Sequence, residues 1–298
     1  MNEVETQITQ PQREQDLVTY RGLVRSLRGL GIPEGKPVIV HSSLQSLGPV
    51  QGGAVTVASA LVEVFSSVMV PTFTYKTLIV PETGPADNAI QYGSRADGNK
   101  MAEFFFPDLP ADRLMGVVAE TIRKHPEAHR SGHPIMSFAG VNVREYLEKQ
   151  LLTEPLAPIA AMYDHGGWVV LVGVGHEANT SIHLGERLAG RRMYTRWALM
   201  SDIVVTCTNI PYCSDGFDAI HPLLDPFTRK VQIGEALVQA VPLFELIQTT
   251  RQLIEADSSA LLCSRTDCQA CNTIRRLIQK PKNGFDIAGR KGEVDGPE

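Results

Sequence analysis

The stretch GVGHEANTSIHLGE, residues 173–186, places two histidines, two glutamates and an Asn-Thr-Ser turn directly behind the apolar run WVVLVGVG. A connecting loop needs turn formers, not imidazole and carboxylate at a three-residue spacing. If Asn179 to Ser181 cap a helix, His183 falls in its first turn. Glu186 then lies on the same helix face. A carboxylate there fixes the ring tautomer and raises its basicity, as a general base requires. The same spacing also describes a first-turn histidine beside a glutamate that complements the helix dipole. Spacing alone leaves both readings standing.

The other titratable groups are less pointed. His133, in RSGHPIMSF, precedes a proline and is biased to extended backbone, as a structural hydrogen-bonder or a site group. His165 sits in a DHGG turn, His125 and His129 flank a helix end, and His176 has no evident partner. The thiols form a pattern. Cys263, Cys268 and Cys271 make C-x4-C-x2-C, and Cys213 stands apart in PYCSDGFD. Four thiolates suit a tetrahedral structural zinc; the alternative is reduced cysteines packed beneath a C-terminal helix. Cys207, inside an apolar run, reads as core.

Elements must position these groups. Leu17, Tyr20, Val24 and Leu27 recur at helical spacing over 14–30. PVIVHSSL (37–44) is a short buried strand, Ala54 to Phe65 one face of a helix, and VMVPTFTY (68–75) the next strand. Strand, glycine turn, helix and strand make a βαβ unit, which predicts a largely parallel sheet flanked by helices, an α/β fold. Residues 76–110 read as a long loop of the kind that carries function. Helices are expected over 112–124, near NVREYLEKQLL, from about Ser181 and at the C-terminus. WVVLVGVG is a central strand and DIVVTCTNI another. One catalytic domain is expected over 13–281, with disordered tails at 1–12 and 282–298.

The glycine turn HSSLQSLGPVQGGA, between strand and helix, offers free N–H groups and a positive helix end to anions. It matches neither the dinucleotide fingerprint nor a P-loop, and a tight βα connection is the simpler local reading. There is no G-x-S-x-G elbow and no H-E-x-x-H site. The loop that binds acetyl-CoA in the common acetyltransferase fold is broken by Pro49. The net charge is −5 in 298 residues, with no basic run interleaved with aromatics, which argues against nucleic acid. No apolar leader and no eighteen-residue apolar run are present, so a cytoplasmic protein without a membrane span is expected.

Read together, these pieces resemble the aminoglycoside 3-N-acetyltransferase (antibiotic N-acetyltransferase) family. VHSSLQSLGPVQGGAVTVASAL is similar to its N-terminal signature and RSGHPIMSFAGVN to its Arg-Ser-x-His-Pro segment. DHGGWVVLVGVGHEANTSIHLGE resembles its His-Gly-Gly, strand and His-x-x-Glu run, and RRMYTRWAL the Arg-rich stretch that follows. The motifs stand in order over roughly 15–280. The resemblance implies a fold distinct from the common acetyltransferase fold, acetyl-CoA as donor and a primary amine as acceptor, most simply an aminoglycoside 3-amino group, with antibiotic resistance as the role.

It also implies site roles. His183 matches the reactive histidine, oriented by Glu186 or Asp218. The donor would meet His41, Ser42, Ser43, Leu44, Val50, Gly52, Gly53 and Ala54, with Ser137 and Thr180. Backbone N–H groups around Ser42–Leu44 or the Thr180 hydroxyl would serve the oxyanion. An acidic cleft with Glu177, Glu186, Asp215 and Asp218 would suit a polycation. One departure stands out: Gly216 occupies the place where the family carries an acid, leaving Asp215 and Asp218 beside it. Non-aminoglycoside amines, or CoA binding without turnover, are the alternatives. Partners are small molecules, zinc is a possible structural ion, and the sequence leaves oligomeric state open.

Overall fold

Val38, Val40, Val170 and Val172 face one side of a sheet, and Ile39, Val169 and Leu171 the other. Successive strand residues alternate faces, so a sheet apolar on both sides must be covered on both. In the computed structural model, which describes residues 17–279 apart from residue 95, helices provide that cover. The strands in chain order are β1 (Val38–Ser42), β2 (Val68–Pro71), β3 (Leu78–Ile79), β4 (Ala128–Arg130), β5 (Phe138–Val141), β6 (Trp168–Val172), β7 (Tyr194–Met200), β8 (Ile203–Ile210), β9 (Arg229–Ile233) and β10 (Ala236–Pro242). Seven of them form the central sheet, in the order β4-β5-β2-β1-β6-β10-β9. One face packs on the helices Tyr20–Gly29, Gly53–Val64 and Gly116–Arg123. The other packs on Ala157–Asp164, Ile182–Leu188 and Leu243–Ala256. This is the α/β layering that the βαβ unit predicts.

The parallel character is confined to the middle. β1 pairs in parallel with β2 and β6, while β4, β5, β9 and β10 join antiparallel, so the sheet is mixed. The helix Gly53–Val64 carries the chain back to start β2 in the direction of β1. At the far edge a tight turn at Gly234, φ 55°, reverses β9 into β10 instead.

A separate three-stranded sheet, β3-β7-β8, stands beside the carboxyl ends of the central strands. The long 76–110 segment supplies β3 and the short helix Ala96–Lys100. From Tyr194 on, the arginine-rich RRMYTRWAL stretch forms β7, with alternating burial from Tyr194 to Ala198. The expected helix over NVREYLEKQLL shrinks to Arg144–Leu147. The N-terminal helix begins at Tyr20, where the Thr19 hydroxyl accepts the Gly22 N–H at 3.2 Å. The segments read as tails, 1–12 and 282–298, lie outside the described residues. No helix among the described residues is long and apolar enough to cross a membrane.

Candidate active site

β6 ends at Val172, and Gly173 turns the chain with φ 65°, where a Cβ would meet Ser46 Cβ at 2.6 Å. A 3-10 turn, His176–Ala178, follows. Asn179 Oδ1 accepts the Ser181 N–H at 3.1 Å, and the helix Ile182–Leu188 starts there. Ser181 stands at the N-cap without a side-chain cap bond, and His183 falls in the first turn, as the spacing predicts.

His183 and Glu186 meet: Nδ1 lies 2.6 Å from Oε2. The other carboxylate oxygen accepts from Arg191 Nη1 at 2.6 Å. Arg191 is anchored in turn on the carbonyls of Ser258 (3.0 Å) and Ala260 (2.6 Å). All three side chains are buried. A carboxylate oxygen accepts, so in the neutral ring Nδ1 is the donor and Nε2 the nitrogen that carries the lone pair. The ring packs edge-on against Phe217, with centroids 4.8 Å apart. It lines a cavity of about 600 Å³ at the carboxyl ends of β1, β2 and β6, where ligands sit in open α/β sheets.

His41, Ser42 and Thr180 share that cavity, as does Glu177. Leu44, Val50 and Gly53 line a second, open cleft of about 390 Å³ with Gln45, Gly48 and Val117. Gly52 sets the turn in left-handed backbone at φ 77°, and Ala54 packs inward on the helical layer. The Ser43 N–H is held by the Val172 carbonyl at 2.9 Å, and its hydroxyl accepts the Ser46 N–H. The Ser43 N–H is therefore unavailable for an oxyanion, whereas the Leu44 N–H has no acceptor among the described residues.

Three expected site residues are placed elsewhere. Asp218 does not orient His183: its Oδ1 accepts the His176 N–H at 2.6 Å, and it hydrogen-bonds Glu177. Burial first, and this carboxyl neighbour second, raise the Glu177 pKa above the usual carboxylate range. Asp215 pairs with Arg265 at 3.0 Å and does not line the cavity. Ser137 is fully buried, donating to the Thr72 carbonyl (2.7 Å) and accepting from Arg130 Nε (3.1 Å), so it has no group left for a cofactor. The acidic cleft shrinks accordingly. Glu186 is engaged by His183 and Arg191, and Glu177 is the one acid that lines the cavity among the described residues.

The remaining histidines resolve by geometry. His133 Nδ1 accepts the N–H groups of Ile135 (3.1 Å) and Met136 (3.0 Å), a structural role. His41 lies within electrostatic reach of His176, whose ring centroid is 6.0 Å from that of His221. Sequence reasoning missed Arg191 and Arg196. Arg196 lines the cavity while 95% buried, donates to the Asn88 (3.0 Å) and Thr195 (2.8 Å) carbonyls, and stacks on Tyr194 and Tyr212. Its Nη2 has no partner among the described residues. The signal was present in the Arg-rich stretch, but its direction was not. The sulfurs of Cys213, Cys263, Cys268 and Cys271 all lie within 4.8 Å of one another, and Cys207 is core.

A family model described as aminoglycoside 3-N-acetyltransferase matches residues 39–255. A prophage-derived aminoglycoside N(3')-acetyltransferase-like protein of Bacillus subtilis is 30% identical over 195 residues, 60% of this chain and 69% of that protein. Aminoglycoside N(3)-acetyltransferase III of Serratia marcescens is 28% identical over 257 residues, 76% and 92% of the two chains. Among known structures, the YokD protein of Bacillus subtilis superposes with a TM-score of 0.70 at 22% identity, over 81% of this chain and 95% of that one. The apoenzyme of the aminoglycoside acetyltransferase AAC(3)-IVa gives 0.69 at 23%, over 87% and 97%. A binary complex of AAC-IIIb with CoASH gives 0.66 at 20%, over 80% and 97%.

Proposed function

Because the chain belongs to the aminoglycoside 3-N-acetyltransferase family and is an acyltransferase of it, we propose that it moves the acetyl group of acetyl-CoA directly to a primary amine, with His183 as general base. The observation that carries this reading is the buried Arg191–Glu186–His183 relay, which holds Nδ1 and presents Nε2 to a cavity at the strand ends. An aminoglycoside 3-amino group is the acceptor to which the relatives' names point. Acetyl-CoA is a cytoplasmic donor, and we place the enzyme there, with 13–281 as one catalytic domain.

The amine attacks the thioester carbonyl carbon as Nε2 of His183 takes its proton. Glu186 stabilises the imidazolium so formed. The developing oxyanion is served by the Thr180 hydroxyl, which shares the cavity with His183, with the Leu44 N–H at the neighbouring cleft the second candidate donor. The carbon–sulfur bond then breaks, and the imidazolium returns the proton to the departing CoA thiolate. No acyl-enzyme is needed. The pantetheine and phosphates of the donor lie along the turn 48–54, at the N-terminus of the helix Gly53–Val64.

Arg196 favours a second acceptor class. A buried guanidinium whose Nη2 has no partner among the described residues, in a cavity otherwise largely apolar, suits an amine that also carries a carboxylate or phosphate rather than a polycation. Release of CoA thiol is measured across aminoglycosides, simple alkylamines and the matching ω-amino acids. Turnover with an aminoglycoside supports the first acceptor. Turnover confined to ω-amino acids, and lost in Arg196→Met, supports the second. Acetyl-CoA binding without turnover on any amine contradicts the enzymatic reading.

A further inference from the structure

We infer that Cys213, Cys263, Cys268 and Cys271 hold a structural zinc ion that ties the wall of the acceptor cavity to the anchor of the catalytic relay. The four sulfurs converge from separate places: the loop after β8, the segment after the helix Leu243–Ala256, and the first turn of the helix Gln269–Gln279. Zinc–thiolate bonds of ~2.3 Å in a tetrahedron put sulfurs about 3.8 Å apart. The observed group, all within 4.8 Å, closes to that size with small side-chain movements.

Backbone N–H groups point at three of the sulfurs, from Asp215 to Cys213, Arg265 to Cys263 and Cys271 to Cys268. The Arg265 guanidinium also hydrogen-bonds Cys263 and Cys268, and it offsets part of the negative charge that four thiolates leave around a divalent ion. Four thiolates leave no open position, so the ion is structural and takes no part in acetyl transfer.

The surrounding packing needs such a knot. The helix Gln269–Gln279 buries only Ala270, Cys271 and Thr273, too little apolar surface to hold three turns in place. Two links then lead to the site. Pro211, Tyr212 and Ser214, which bracket Cys213, line the cavity. Ser258 and Ala260, shortly before Cys263, hold Arg191 and through it Glu186. Gly216 lets the two strips touch: a Cβ there would stand 2.5 Å from the Leu261 carbonyl oxygen and 2.9 Å from the Cys263 nitrogen. The residue in the place of the family's acid is therefore glycine because the cysteine-bearing segment occupies the space.

The test uses full-length protein purified without a metal-binding tag. Elemental analysis should find about one zinc per chain, and cobalt exchanged into the site should show the intense thiolate-to-metal charge-transfer absorption of a sulfur-rich tetrahedral site. Both signals should be lost in Cys268→Ser and Cys271→Ser, with a lower melting temperature. On the acetyltransferase reading, metal removal raises the acceptor KM several-fold while acetyl-CoA affinity, measured by calorimetry, stays constant. Should neither variant fold, the wild-type cobalt spectrum decides. Reduced protein that arrives metal-free and takes up neither zinc nor cobalt overturns the site, whatever the activity.

Discussion

Burial pushes the pKa of His41 down to about 3, helped by the nearby His176, and holds His133 and His176 at about 4. All three rings are neutral at pH 7, while an unfolded chain returns each to its ordinary value near 6.5. Below that value the unfolded state binds the extra protons, so folding loses ground. The stability at stake is fully present above pH 6.5 and drains away as pH falls towards 4. Between pH 6.5 and 5, above the usual carboxylate range, urea melts should show a midpoint that drops steadily, and His133→Gln should shrink the drop. A flat midpoint contradicts the buried neutral state. At this same scale the sequence was uneven. The His183–Glu186 contact was legible because three residues along a helix is one turn. Asp218 looked equally able to reach the ring, but it lies 35 residues away in sequence and only the fold shows that it serves the His176 N–H instead. Arg191, on the chain leaving the helix, gave no periodic sign.

The glycine turn shows how an element converts composition into a binding surface. Gly48, Gly52 and Gly53 all have positive φ, at 73°, 77° and 60°, so the turn exposes backbone rather than side chains at the start of the helix Gly53–Val64. A Cβ at Gly53 meets nothing within 4 Å, and aspartate tolerates left-handed backbone better than most residues. Gly53→Asp should therefore fold, yet bring a negative charge to the place assigned to the donor's phosphates. Calorimetry should show acetyl-CoA affinity at least tenfold weaker, of the order of one misplaced charge at partial screening. Unchanged affinity in a variant that melts normally would return the turn to a plain βα connection. The βαβ unit was readable because its period changes from 2 to 3.6 and back at glycines. The antiparallel edges were not, since a strand's period says nothing about its direction. β7 alternates cleanly from Tyr194 to Ala198, but it sits inside an Arg-rich stretch that drew attention as charge rather than as pattern.

At the scale of the whole molecule, the α/β layering follows from apolar runs and their spacing, whereas the cavity does not. Its wall comes from β3, the β7–β8 hairpin and the loop after β8, none of which the sequence places over the central strand ends. For the same reason an acidic cleft looked plausible in the chain and shrinks in the fold, where Asp215 meets Arg265 and Glu186 meets Arg191. What the assembled molecule concentrates at the ends of β1, β2 and β6 is one histidine with an oriented ring. The most direct measurement is therefore the turnover of His183→Ala with acetyl-CoA and whichever amine the wild-type protein uses. The account predicts a fall in kcat of about 10²–10⁴, the usual worth of a general base, with acetyl-CoA affinity by calorimetry unchanged. A variant that keeps most of its kcat, or that loses donor binding along with activity, would contradict it.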